Sequence, residues 1–351
     1  MQAWKKNIRK VVPYVPGEQP QRKVIKLNTN ENPYPPAPGV KMALEEFNED
    51  CLRLYPDPDC MKLRTVLADY YKVTPDNVFV GVGSDDVLSV AFMTFFNSDK
   101  PILFPDITYS FYSVWADVYR IPYEKIPVGE DFKITASDYY KENGGVIFAN
   151  PNAPTAIYEN LEFVEEIVKN NQDVIVIVDE AYIDFGGESA ISLTEKYDNL
   201  LVVQTFSKSR SMAGTRIGFA IGNPELIKAM NDVKFSINSY TMNQNSLYIG
   251  GEAVKDDAYF KETVSKIVNT REKTMLRLKE MGFEGTDSKT NFLFVKHNAM
   301  RASEIFEKLK EKDIFVRYFK TAGIDNYLRI TIGTDEEMEM LIKALEEIMN
   351  F

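Results

Sequence analysis

The chain has 351 residues and a formal net charge of −11. That length suits one large domain with a smaller one, and that charge argues against a protein that tracks nucleic-acid phosphates. One histidine and two cysteines argue against zinc sites built on those residues, and no apolar run nears the ~20 residues of a membrane helix.

Residues 1–35 carry Pro13, Pro16, Pro20, Pro33 and Pro35 and read as an extended N-terminal arm, packed on the small domain or on a dimer partner. The stretch that begins Met1-Gln2-Ala3 lacks an apolar segment and predicts no signal peptide. Cys51 and Cys60 are expected as free thiols, which fits a cytoplasmic protein. Over 36–255 apolar runs alternate with amphipathic stretches. Strands are predicted at 77–82, 101–104, 145–149, 173–178, 200–205 and 216–221, with a helix over 85–96. The run 173–178 is nearly all β-branched, as a strand buried on both faces requires. This alternation predicts an α/β fold, a mainly parallel sheet between helices. From 256 to 351 the pattern changes to a small α+β domain. Its predicted elements are a long helix at 258–281, a strand at 291–296, a helix at 302–312, strands at 314–319 and 327–332, and a helix at 335–349. The lone His297 leaves a strand and is expected to be structural or solvated.

In open parallel sheets, ligands bind beyond the carboxyl ends of the strands. Gly83-Ser84-Asp85-Asp86 follows the first run, where a helix start offers free N–H groups to an anion, or Ser84 merely caps the helix. Tyr109 follows the second, as a platform for a planar ring or as core packing. The rigid Asn150-Pro151-Asn152-Ala153-Pro154-Thr155 follows the third. Asp179 ends the β-branched run, where a buried carboxylate needs a cation: an ion-pair partner or a protonated ring nitrogen. Ser207-Lys208 ends the next, with Arg216 eight residues on. A desolvated lysine near another cation acts as a nucleophile or base, and serine with arginine grips phosphate. Phosphate cup, ring platform, acid and amine together match one cofactor, pyridoxal 5′-phosphate.

The ordered set Asn150-Pro151-Asn152-x-Pro154-Thr155, Asp179-Glu180-Ala181-Tyr182, Ser207-Lys208 and Arg216-x-Gly218 resembles the fold type I, class I/II aminotransferases, and does so over nearly the whole chain. Further stretches of the resemblance are Pro13-Tyr14-x-Pro16-Gly17, the run 27–33, Tyr55-Pro56-Asp57, Val316-Arg317 and the run 328–333. It implies a fold type I pyridoxal-phosphate transferase fold and a homodimer. In that frame Lys208 is the Schiff-base lysine and proton carrier, Asp179 the partner of the ring nitrogen, and Asn152 and Tyr182 the partners of the ring hydroxyl. Tyr109 stacks on the ring, Ser84, Asp85, Ser207 and Arg216 hold the phosphate, and Tyr55 is contributed by the other subunit. Arg317 and Arg329 grip the anionic end of the substrate, with Tyr14 and Asn30 lining its pocket. The implied reaction transfers an amino group from an amino phosphate or amino acid to a 2-oxo acid. Sister activities on the same fold are transamination of aromatic amino acids and decarboxylation of threonine phosphate; a non-catalytic ligand-binding protein is the remote alternative. The chain departs from the family pattern at Ala156, where glycine is usual, at Asp86, and at Ser209-Arg210-Ser211-Met212. Arg210 is expected either near the phosphate or facing solvent.

Overall fold

The computed structural model describes residues 3–350. Residues 1 and 2, which open the expected arm and the stretch inspected for a signal peptide, lie outside the described residues, as does 351, the last of the expected small domain. The strands are β1 (Ile25–Leu27), β2 (Val78–Val82), β3 (Ile102–Pro105), β4 (Tyr123–Ile126), β5 (Val146–Ala149), β6 (Val176–Asp179), β7 (Leu200–Thr205), β8 (Ile217–Gly222), β9 (Phe283–Gly285), β10 (Phe292–His297), β11 (Ile314–Tyr318) and β12 (Leu328–Thr331). The helices are α1 (Pro38–Glu45), α2 (Met61–Tyr71), α3 (Gly83–Phe95), α4 (Phe111–Tyr119), α5 (Leu161–Lys169), α6 (Pro224–Ile237), α7 (Gln244–Lys255), α8 (Asp257–Glu280), α9 (Ala302–Glu311) and α10 (Asp335–Met349).

Seven strands form the larger sheet in the order β2-β8-β7-β6-β5-β3-β4. From β7 to β4 all neighbours are parallel, as the alternating pattern predicts. β8 is the exception and runs antiparallel to both β2 and β7. The reason is local. The segment between β7 and β8 contains a single 3-10 turn, and a parallel return needs a crossover of a dozen or more residues. β6 starts at Val176 rather than at 173, because Val174 N–H turns back to the Asn171 carbonyl. Every residue of β6 is buried, with apolar layers against both faces of the sheet.

The second sheet has the order β1-β11-β12-β10-β9 and packs against α8, α9 and α10. β1 pairs in parallel with β11, so the end of the proline-rich arm is a strand of this sheet. Sequence patterning gives no sign of it: three residues carry no period, and their partner lies far along the chain. α10 begins where Thr334 and Glu337 form a reciprocal capping box, which satisfies free N–H groups at its first turn. His297 is structural. Its Nδ1 accepts from the N–H groups of Ala299 and Met300, and its Nε2 donates to the Met281 carbonyl at 2.9 Å. Among the described residues no helix is long and apolar enough to cross a membrane.

Behind β6 lies a buried polar network. Glu180 accepts from Ser189 Oγ at 2.6 Å, Ala190 N–H at 2.6 Å and Gln204 Nε2 at 2.8 Å, and Tyr71 donates to Gln204. Burial nevertheless pushes its carboxyl from 4.5 up to about 7. Below the unfolded value the group is protonated in both states and has no effect on stability. As pH rises toward the folded value only the unfolded chain ionises, and stability falls by on the order of 3 kcal/mol. Glu180→Gln is therefore expected to gain that much on wild type between pH 4.5 and pH 7. Unfolding measured across this range checks it, and a constant difference between the two proteins would reject it.

Candidate active site

The carboxyl ends of β2, β6 and β7, the loop after β1, and β11 with β12 surround one cavity of about 250 Å³. Four cations, Lys208, Arg216, Arg317 and Arg329, line it in a chain of net charge −11. Glu31, Asp85 and Asp179 line it as well, so an anion would be met by individual cations rather than by a uniformly basic wall.

One end is built from backbone. Gly83 opens α3 at φ +81°, and a Cβ there would stand 2.5 Å from Arg216 Nη2. Gly218 on β8 passes so close that its Cβ would meet Ser84 N at 2.3 Å. Glycine at both points lets Arg216 fold over the start of α3, beside Ser84 and Ser207. Asp85 holds this corner together with its side chain. It accepts from Arg216 Nη2 at 3.1 Å and from Tyr109 Oη at 2.8 Å.

At the floor, Asp179 is 4% exposed and ends β6. No ion pair involves it among the described residues; its partners are Tyr112 Oη at 2.8 Å and Ala181 N–H at 3.2 Å. The structural ion-pair reading of this residue is thus absent. Burial pushes its carboxyl from 3.8 up to about 6, against the pull of those two hydrogen bonds and with help from the charge of Asp85. A buried carboxylate without a cation is costly, so the site suits a ligand that brings a positive charge. Lys208 enters the same cavity from beyond the end of the neighbouring strand β7. Its Nζ donates to the Thr29 carbonyl at 3.2 Å and stands 5.8 Å from the centre of the Tyr182 ring. Tyr182 Oη in turn accepts from Asn30 Nδ2 at 2.9 Å. Asn30 sits at φ +56° and is locked by Thr331 and Asn291.

The other end carries the two arginines. Arg317 and Arg329 lie opposite each other on antiparallel β11 and β12. Arg329 Nη2 donates to the Asn28 carbonyl at 3.0 Å, while its Nε is sealed from solvent without a partner. Its charge is disfavoured by burial and by Arg317. Arg317 spends its donors on the arm, on the carbonyls of Val15 and Pro16. Tyr14, also from the arm, stacks on Phe111 at 4.4 Å and borders the cavity.

The fold therefore brings Tyr14, Asn30, Ser84, Asp85, Tyr109, Asp179, Tyr182, Ser207, Lys208, Arg216, Arg317 and Arg329 to one cavity. Two sequence-predicted residues stand outside its lining. Asn152 uses its amide to tie its loop to the segment after β3, accepting from Thr108 Oγ1 and donating to the Ile107 carbonyl, and it also donates to Thr155 Oγ1. Tyr55 is 80% exposed on the surface and stacks on Tyr240. Sequence reasoning missed the Thr29 carbonyl, the Asp85 side chain and Tyr112, whose partners are all distant along the chain. It also missed Asn32, which donates to the carbonyls of both Lys208 and Ser209.

The departures from the family pattern have structural answers. Ala156 takes φ +66° and tucks its methyl against Ala153, Phe292 and Tyr182. Asp86 accepts from the Val82 N–H at 2.8 Å. Arg210 neither joins the phosphate end nor faces solvent. It is 7% exposed, donates to the Ala253 carbonyl at 2.9 Å, and sits over the rings of Tyr70, Phe206 and Phe260. Aromatic faces stabilise a buried guanidinium that no carboxylate directly meets. Ser209 donates to Asp184 at 2.5 Å and so ties the lysine loop to the turn after Tyr182.

Residues 22–345 match the family of class I and II aminotransferases, and the chain belongs to that family. A histidinol-phosphate aminotransferase of Brachyspira hyodysenteriae is 54% identical over 97% of both chains. One of Lactococcus lactis subsp. cremoris is 52% identical over 99% of this chain and 98% of its own. Among solved structures, the histidinol-phosphate aminotransferase of Sinorhizobium meliloti in complex with pyridoxal-5′-phosphate superposes with a TM-score of 0.86 at 24% identity, covering 94% of this chain and 92% of that one. The fold is that of the fold type I transferases.

Proposed function

We propose that this chain transfers the amino group of L-histidinol phosphate to 2-oxoglutarate, in histidine biosynthesis, with pyridoxal 5′-phosphate as cofactor. The observation that carries the reading is the layout of one cavity. Arg216 over the start of α3 stands at one end, Lys208 and the buried Asp179 lie between, and two register-matched arginines stand at the other end. The close relatives named above support the choice of substrate.

The residues fit the cofactor. Ser84, Ser207, Arg216 and the backbone at Gly83 and Asp85 would hold its phosphate, Tyr109 and Tyr182 its ring, and Asp179 its ring nitrogen. When bound, it supplies an aldehyde that accepts the amino group and a ring that draws electrons from the neighbouring carbon. Asp179 gives the ring nitrogen the negative partner that keeps it protonated. Lys208 would hold the cofactor's aldehyde at rest and be displaced from it by the substrate amine. Once free, its Nζ would take the proton from the substrate carbon that carries nitrogen and deliver it to the carbon that bore the cofactor's aldehyde. Arg329 and Arg317 orient the substrate through its phosphate, each with a planar fork of donors. In the second half of a ping-pong cycle the same pair would receive a carboxylate of 2-oxoglutarate.

We further infer a cytoplasmic homodimer in which Tyr55 reaches the partner's cofactor phosphate. Leu52, Leu54, Tyr55, Phe235, Ile237 and Tyr240 are exposed large apolar side chains, which supports a covered face there. The chain would divide into an arm at 1–35, a cofactor-holding domain at 36–255 and a smaller domain at 256–351.

A spectral titration tests the substrate. The cofactor-loaded protein should be yellow, and histidinol phosphate should bleach that band at concentrations at least about a hundredfold below those needed with threonine phosphate or phenylalanine. A stronger response to either of the others would overturn the assignment, and a protein that takes up no cofactor would overturn the chemistry.

A further inference from the structure

Tyr112 is fully buried on α4, three residues beyond the ring-facing Tyr109, and the reaction outlined above does not use it. Its ring is wedged among Phe92, Phe104, Tyr109 and Trp115, which would pack as well around a phenylalanine. The hydroxyl is the feature that packing leaves unexplained. A buried hydroxyl is destabilising unless hydrogen-bonded, and this one is bonded to Asp179 Oδ2 at 2.8 Å.

We propose that Tyr112 is a positioning residue for the cofactor ring. By donating to Asp179 it keeps that carboxylate ionised, and so keeps the shared proton on the ring nitrogen rather than on the acid. The inference rests on the reading that Asp179 faces that nitrogen.

The surroundings make this donor decisive. Asp179 has two hydrogen-bond donors, Tyr112 and the Ala181 N–H, and no cationic side chain pairs with it among the described residues. Asp85 on α3 adds a like charge, and the hydroxyls of Tyr109 and Tyr182 and the amine of Lys208 border the same cavity. Burial already raises the proton affinity of Asp179, to about 6 with both donors in place. Loss of one donor raises it further, into competition with a pyridine nitrogen for a single proton. When that proton moves to the acid, the ring becomes neutral and withdraws electrons less strongly. Tyr112 does not take part in the exchange. Burial and the Asp179 charge push its own ionisation well above the ordinary tyrosine range, so it remains a donor throughout.

The test uses holoenzyme loaded with cofactor carrying nitrogen-15 in its ring. The fraction of ring nitrogen that carries the proton is followed by NMR across pH in wild type, Tyr112→Phe and a packing control, Phe92→Leu. A proton that moves inside the acid–nitrogen pair lowers this fraction where the pair holds a single proton, and a more basic Asp179 also makes the pair release that proton at higher pH. We expect Tyr112→Phe to lower the protonated fraction at least about twofold. Its kcat should drop about tenfold while KM stays within twofold, as for a lost hydrogen bond to a charged group. Phe92→Leu should leave the fraction in place. A Tyr112→Phe fraction equal to wild type, or a Phe92→Leu loss of the same size, overturns the inference. Should Tyr112→Phe not fold, 3-fluorotyrosine at 112 keeps the shape and sharpens the donor. The pair should then release its proton at lower pH, and an unmoved release rejects the role. A wild-type chain that takes up no cofactor would instead overturn the reading beneath it.

Discussion

Lys208→Ala is expected to lower the rate of transamination by about 10⁴-fold or more. On the proposed reaction two functions would leave with one amine: the nucleophile that holds the aldehyde, and the base that moves the proton between carbons. General acid–base catalysis alone contributes roughly 10²–10⁴-fold, and covalent activation adds to it. The fold should tolerate the change. Lys208 Nζ bonds one backbone carbonyl, that of Thr29, and among the described residues forms no ion pair, so its removal strands no buried partner. The melting temperature should therefore stay within about 3 °C of wild type, because substitutions that break no buried network have small effects. Single-turnover absorbance with histidinol phosphate, beside a melting curve, checks both halves. Retention of more than about a tenth of wild-type kcat would show that another group moves the proton.

Arg329→Ala is expected to raise KM for histidinol phosphate by about a hundredfold. Each charge-assisted hydrogen bond contributes roughly 1.5–3 kcal/mol, and two such bonds from a planar guanidinium give that factor. L-Histidinol, the same molecule without its phosphate, is the proper comparison, and its KM should move less than about threefold. Arg329 is singled out because its Nε is buried without a partner, a donor held ready for an anion. Arg317→Ala should have a smaller effect on the same ratio, since that guanidinium already holds the carbonyls of Val15 and Pro16. Equal effects of Arg329→Ala on the two substrates would reject a phosphate clamp.

Part of the cavity was legible in the sequence because several of its chemical groups follow an apolar run, while Tyr14, Asn30, Arg317 and Arg329 came only with the family resemblance. Asp179 after β6 and Ser207-Lys208 after β7 stand where a parallel sheet opens to a ligand, and hydrophobic periodicity alone finds those strand ends. The same reasoning located nearly all elements after residue 256, where helical and strand periods are strong. It extended β6 three residues too far, because a β-branched run does not reveal the turn made by Val174. It also left Arg210 with two destinations and matched neither. A guanidinium reads as polar in sequence, but here rings from α2, α8 and the end of β7 enclose it.

The sequence by itself determined the class of fold and part of the chemical inventory of the cavity. These depend on local patterning: which residues are apolar, at what period, and which polar group comes next. Only the tertiary structure decided the partnerships. β1 joins a sheet whose other strands all lie beyond residue 280, Tyr112 meets Asp179 across 67 residues, and Asn152 binds Ile107 and Thr108 after β3 through its amide. Hydrogen bonds and buried charges are satisfied by whatever the folded chain brings within about 3 Å, and no local period encodes that distance.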